Sequence, residues 1–264
     1  MSFKKNILTL ILIIFAVNQL FAQNDSAKVQ QNIYNDTIRY QNKKNSSKLN
    51  TALSFAIPSA LITYGIITRF SSTLQSFDHN IAGKVQANVS RRYSFDDYIQ
   101  FLPYVAVYGL DLCGVKAKHT FVERTLVVGT SALIMGTTVI LTKNLTHIQR
   151  PDQSDFQSFP SGHTATAFMG ADILFREYKD VSPFIGIAGY AVAVATGTMR
   201  IINNKHWFSD VITGAGVGVL SAELSYLMLP LWQKAFKLKS RNSGLAVTPI
   251  INRNQLCLGG VWVF

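Results

Sequence analysis

Apolar residues along this chain gather into helix-length runs separated by short polar and basic segments. The first run, Ile7 to Val17, follows Lys4 and Lys5 and ends near Phe21-Ala22-Gln23, the pattern of a secretory signal peptide over residues 1–22. Residues 23–50 are rich in Asn, Gln, Ser and Lys and show no helical stripe, so they read as a flexible linker. From Thr51 to Thr68 apolar and small residues approach the length of a membrane span, with Pro58 expected to kink it. Residues 70–98 set Phe77, Ile81, Val85 and Val89 four apart, an amphipathic helix that lies along a membrane or packs on the domain.

Phe101 to Val115 and Thr125 to Thr142 are two further apolar helices, joined by the basic loop Lys116 to Arg124. Thr164 to Phe175, Phe184 to Met199 and Phe208 to Trp232 complete the helical set. Gly214, Gly216 and Gly218 permit close helix contact in the last of these. Asp111, Asp172 and Glu223 interrupt apolar helices and are expected to face the bundle. Beyond Gly244, Leu245 to Ile251 and Leu256 to Phe264 are β-prone around Asn252-Arg253-Asn254. The expected fold is all-α, a membrane-associated helical bundle over residues 51–240 with a short C-terminal β-hairpin in the tail 241–264. No internal repeat is visible.

Composition sharpens this picture. At 48% hydrophobic and 15% charged residues the chain is apolar for a soluble protein, although its mean hydropathy is a modest +0.19. Its formal net charge of +11 is spread along the chain, which suits anionic lipid surfaces and anionic substrates. Nucleic acid is the weaker reading, because no basic run is interleaved with aromatics. Cys113 lies in an apolar helix and Cys257 in the tail, so a buried thiol is expected in place of a disulfide.

The candidate chemistry lies between Lys143 and Asp210. On a continuous helix ending at Pro151, Lys143 and Arg150 would share a face two turns apart. Arg200 adds a third cation, whose planar fork matches phosphate oxygens bidentately. Pro160-Ser161-Gly162-His163 precedes a helical run and so sets free backbone N–H groups beside a serine hydroxyl, a place where anions settle. His206 and Asp210 are four apart, so the carboxylate can fix one imidazole nitrogen and leave the other as a nucleophile. His163 is then free to protonate a departing oxygen and to draw a proton from water. Singly, each residue has an ordinary structural explanation; jointly, the order and spacing point to a phosphate-handling site. No Asp/Glu/His cluster resembling a two-metal clamp is evident near these residues, so neither a metal nor another cofactor is expected.

At these positions the chain resembles the type 2 phosphatidic acid phosphatase superfamily, which also holds soluble bacterial acid phosphatases and vanadium haloperoxidases. The three-part signature of that family falls on Lys143, Arg150 and Pro151; on Pro160, Ser161, Gly162 and His163; and on Arg200, His206 and Asp210, within a resemblance covering roughly residues 95 to 230. The resemblance implies that His206 attacks phosphorus, Asp210 orients it and His163 is the acid. It also implies that Lys143, Arg150, Arg200, Ser161 and Gly162 hold the phosphoryl oxygens. Met199 stands where the family usually has serine, and the gap between Pro151 and Pro160 is short; neither touches a chemical role.

The expected activity is hydrolysis of a phosphomonoester or diphosphate through a phosphohistidine, at the membrane of a bacterial envelope. By analogy with the family, the candidate substrates are phosphatidic acid, phosphatidylglycerol phosphate, undecaprenyl diphosphate and lipid A phosphates. A soluble periplasmic acid phosphatase, a vanadium haloperoxidase and a non-catalytic membrane scaffold are the alternatives. Basic segments at Lys116 to Arg124, Arg176 to Lys179 and Lys234 to Arg241 place those loops inside and the active-site loops in the periplasm. Counting spans from a cleaved signal peptide gives the opposite side, and setting Thr51 to Thr68 aside as non-crossing restores agreement.

Overall fold

A computed structural model describes residues 52–89, 93–238 and, in backbone only, 244–252 and 255–263. The signal peptide and linker expected over residues 1–50 lie outside the described residues. Among the latter run eight helices: α1 (Ala52–Phe70), α2 (Ser72–Asn88), α3 (Asp96–Ile99), α4 (Leu102–Leu112), α5 (Phe121–Thr146), α6 (Gly162–Tyr178), α7 (Pro183–Ile202) and α8 (Phe208–Ala235). In the tail, the backbone of Gly244–Asn252 pairs antiparallel with Gln255–Val263.

Local chemistry sets the helix bounds. Ser71 caps α2 by accepting from the Leu74 N–H. Thr120 and Glu123 form a reciprocal capping box at the start of α5. Pro183 opens α7, where its missing N–H would have had no helical partner. At its far end α5 stops at Thr146, because His147 turns left-handed with φ 45°. The single helix expected to carry Lys143 and Arg150 to Pro151 is therefore corrected: Lys143 sits in the last turn of α5 and Arg150 in the following loop. The left-handed residue ends the helix four positions before the proline could.

Four helices, α1, α5, α7 and α8, are long and apolar enough to cross a membrane. The most apolar stretch of α5 has a mean hydropathy of 1.8 yet is only 17% buried, so its apolar face points outward. A bundle stable in water would turn that face inward. Lipid is the solvent such a surface fits, and the protein is an integral membrane protein. α8 is the central helix, 61% buried along its apolar stretch, and α6 packs on both α7 and α8.

Small residues on α8 allow this packing, as their spacing implied. A Cβ on Gly214 would fall 2.5 Å from the Ser161 carbonyl oxygen, and one on Gly216 would fall 2.7 Å from that of Pro58. α1 lies antiparallel to α8, with Arg69 beside Ser209 at one end and Pro58 beside Gly216 two turns along. α1 continues through Pro58 without a break and packs along α8.

The acids inside helices find partners. Arg176 holds Asp172 at 3.1 Å and also Glu223, while the Tyr190 hydroxyl donates to Asp172 at 2.8 Å. Asp111 pairs with the fully buried Arg124. Cys113 is exposed, contrary to expectation, because α4 ends at Leu112 and the thiol falls in the turn beyond it. The basic loops cluster at one end of the bundle: the Lys118 N–H donates to the Glu177 carbonyl, and the Gln233 amide to Glu123. α5 and α7 run from that end toward the other, where α6 and α8 begin.

Candidate functional site

Asp210, in the first turn of α8, fastens that far end together. Its Oδ2 accepts from the Trp207 N–H at 3.0 Å and from the Ser158 hydroxyl, and its carbonyl accepts from the Ser161 N–H at 3.0 Å. The loop carrying Pro160-Ser161, reached through a cis Phe159–Pro160 bond, is thereby tied to the start of α8. The Trp207 indole donates to the Gln149 carbonyl at 2.8 Å and secures the upstream part of the same loop.

His206 sits just before α8 and is only 3% exposed. Its Nδ1 lies 3.6 Å from Asp210 Oδ2, within ion-pair reach and too long for a hydrogen bond. The pair expected from the four-residue spacing is thus adjacent, but Ser158 and Trp207 occupy the carboxylate oxygen that faces the ring. Catalytic contacts are commonly loose before substrate arrives. Burial pushes the His206 pKa down to about 4, and Lys143 and Arg200 push the same way against Asp210. The imidazole is therefore neutral at ordinary pH, the form that can act as a nucleophile.

The expected cations converge on this histidine. The Lys143 ammonium donates to the Gln157 carbonyl. Arg150 is held through Nε by Asp155 at 2.7 Å, and Arg150 and Arg200 line one cavity of about 240 Å³ together with Lys205. Ser161 is fully buried as the N-cap of α6, its hydroxyl 2.9 Å from that of Thr164, and Gly162 opens the helix. His163 follows in the first turn, its side chain one-third exposed. All eight residues singled out from the sequence lie at this one end of the bundle.

Two residues at the centre of the site carry no motif and were missed. Asp96 and Asp97, on the single-turn helix α3, reach it from a remote part of the chain. Asp96 is fully buried, its Oδ2 2.5 Å from Arg200 Nη1 and its Oδ1 accepting from the Asn203 amide at 2.9 Å. Asp97 Oδ1 lies 2.8 Å from His163 Nε2 and 3.7 Å from Arg200 Nη1. Asp96, Asp97 and His163 thus form an acid–histidine cluster with ligand atoms within 4.8 Å of one another, which the sequence reading did not anticipate. Asp97 and His163 stand 66 positions apart, so spacing offers no signal for it.

A second, larger cavity of about 640 Å³ opens beside the site. Ile66, Phe70, Ile148, Phe159 and Trp207 make it largely apolar, with Arg69 and His79 on its wall. Trp207 follows His206 in the chain, and Thr142, also on the wall, precedes Lys143. Burial raises the proton affinity of Asp78, which holds Arg69 at 3.0 Å and accepts from the Ser209 N–H at 3.1 Å.

Residues 124–234 match the model of the PAP2 superfamily. A lipid A 1-phosphatase of Porphyromonas gingivalis is 41% identical over 132 residues, which are 50% of this chain and 30% of that protein. A lipid A 1-phosphatase of Rhizobium johnstonii is 35% identical over 88 residues, 32% of this chain and 33% of that one. The chain thus spans about a third of the length of these curated relatives. Among solved structures, the transmembrane PAP2 type phosphatidylglycerolphosphate phosphatase of Bacillus subtilis aligns with a TM-score of 0.42 at 20% identity, over 69% of this chain and 98% of that one.

Proposed function

We propose that this protein removes phosphate from a membrane lipid through a phosphohistidine on His206, without a metal ion, and that a glycolipid phosphate of the lipid A 1-phosphate kind is its substrate class. The observation that carries the reading is the buried His206 with Lys143 and Arg200 beside it, and Arg150 in one cavity with Arg200. The identity to two lipid A 1-phosphatases, over 132 and 88 residues, supports the substrate class. The 640 Å³ apolar cavity beside the site supports a lipid over a small soluble ester.

In this reading Nδ1 faces Asp210, so Nε2 of His206 attacks phosphorus while the bond from phosphorus to the lipid oxygen breaks. His163 gives its proton to that oxygen. Water then attacks the phosphohistidine and passes a proton back to His163, and inorganic phosphate leaves with His206 restored. Lys143, Arg150 and Arg200, with the Ser161 hydroxyl and the backbone around Gly162, neutralise the phosphoryl oxygens, which gain charge in the transition state. Asp210 orients His206, and in doing so it must share Oδ2 with Ser158 or present Oδ1, which is buried without a partner. The site works on the periplasmic face, with the basic loops of the opposite end in the cytoplasm.

The test is phosphate release by detergent-purified protein from a panel of lipid A 1-phosphate, phosphatidic acid, phosphatidylglycerol phosphate and undecaprenyl diphosphate. Release should be fastest from the first, insensitive to EDTA and inhibited by vanadate, which mimics the transition state. His206→Ala should abolish it, while His163→Asn should still form labelled phosphohistidine from p-nitrophenyl phosphate, whose leaving group needs no proton. No release from any lipid, or activity that returns with Mg²⁺ after chelation, would refute the reading.

A further inference from the structure

Two aspartates of α3 enter the site, and they are not equivalent. Asp96 is fully buried and committed, with one oxygen on Arg200 and the other on Asn203. Asp97 is half exposed, and in the described structure its Oδ1 makes one short contact, 2.8 Å to His163 Nε2. An aspartate side chain free to lie in water is instead turned onto the ring next to the N-cap of α6.

We infer that Asp97 is the positioning residue of His163: its carboxylate accepts from Nε2–H, fixes the ring orientation and tautomer, and leaves Nδ1 as the atom that gives and takes the proton. The inference rests on the phosphatase reading for its catalytic meaning, but the pairing stands on geometry alone. His163 faces Asp97 and Asp96 from α3 and Arg200 from α7, with Lys143 of α5 and the His206–Asp210 pair of α8 elsewhere in the site. Burial and Arg200 push its proton affinity below the usual histidine value, and Asp97 is foremost among the groups that oppose them. An acid must hold a proton before it can deliver one, so a histidine beside a guanidinium in a partly buried site needs a carboxylate partner. Asp210 stands beside His206, and Asp97 serves His163, so the two histidines carry separate carboxylates.

The test is Asp97→Asn in the full-length, detergent-purified protein, with two readouts. The first is the titration of His163 by NMR of histidine-labelled protein, assigned with His163→Asn among the five histidines. The half-exposed pair is partly screened, so the midpoint should fall by about one pH unit, a tenfold change in protonation above it. The second is leaving-group dependence. Turnover of an alkyl phosphate should drop about tenfold near pH 7.5, its basic limb moving to lower pH, while p-nitrophenyl phosphate turnover changes less than about threefold. Asp97→Glu should restore most of the alkyl rate. Inhibition by vanadate should be unchanged or tighter, because Arg200 loses a carboxylate 3.7 Å away. An unchanged His163 midpoint, or equal loss on both substrates, would overturn the assignment. If the wild-type protein released no phosphate from either substrate, the proposed function would fail, and the titration would still decide whether Asp97 governs His163.

Discussion

Arg200 offers a measurement that separates holding the fold from holding phosphate. Its Nη1 lies 2.5 Å from Asp96 Oδ2, and Asp96 has no exposed surface. Arg200→Ala therefore strands a carboxylate away from water with only the Asn203 amide as a strong donor. Breaking a buried pair from one side costs about 3–5 kcal/mol, and the surviving amide bond argues for the lower end, about 3 kcal/mol. On the scale of a domain of 150–250 residues, where each kcal/mol is worth about 2–4 °C, thermal unfolding in detergent should fall by about 6–12 °C. The double variant Arg200→Ala, Asp96→Asn removes the stranded charge and should regain most of that loss. It should regain no phosphate release, because the guanidinium fork is still missing. An Arg200→Ala protein that melts within about 2 °C of wild type, or a double variant no more stable than it, would refute the account of Asp96. Recovered turnover in the double variant would refute a phosphate-binding role for Arg200.

Two further predictions concern protonation and orientation. Because burial holds the His206 pKa at about 4 in the fold against about 6.5 unfolded, the unfolded chain binds the extra proton between those values. Its contribution to stability, about 3 kcal/mol, is present above pH 6.5 and lost as pH falls toward 4, so wild type should lose melting temperature over that window relative to His206→Gln. Parallel curves for the two proteins would show that His206 is not buried neutral. For orientation, single cysteines at positions 154 and 237 in a Cys113→Ala, Cys257→Ala background should differ. An impermeant maleimide with access to the periplasm should label 154 in spheroplasts and spare 237, and the reverse would place the site in the cytoplasm.

Much of this was legible in the chain because its signals are local. Runs such as Thr125 to Thr142 and Phe208 to Trp232 place α5 and α8 within a few residues, since in lipid an apolar stretch must form a helix to satisfy its backbone. Of the eight candidate residues, all but Arg150 lie at or near a helix end, where spacing and turn chemistry fix position. Arg150 was misplaced because the break occurs at His147, a residue that adopts the left-handed region only in context. Asp96, Asp97 and Ser158 were invisible because their roles arise from contact between distant segments. A lone aspartate pair on a single helical turn has no periodicity to betray it. The exposure of Cys113 depended on one turn more or less at the end of α4, a boundary that apolar composition does not set.

The charges that bracket α5 fix the depth at which this protein operates. Between Arg124 and Lys143 lie eighteen uncharged residues, 125–142, which as a helix span about 27 Å, close to the roughly 30 Å of a bilayer's hydrocarbon. With that stretch spanning the hydrocarbon, Lys143 would stand at the boundary where acyl chains give way to headgroups. A phosphorylated lipid could present its headgroup from where it already floats, without lifting its tails out or drawing its charge inward. The bilayer would act as the second half of the binding site, supplying register and local concentration. A short-chain analogue dissolved in water should then lose far more in apparent affinity than in the rate of the chemical step.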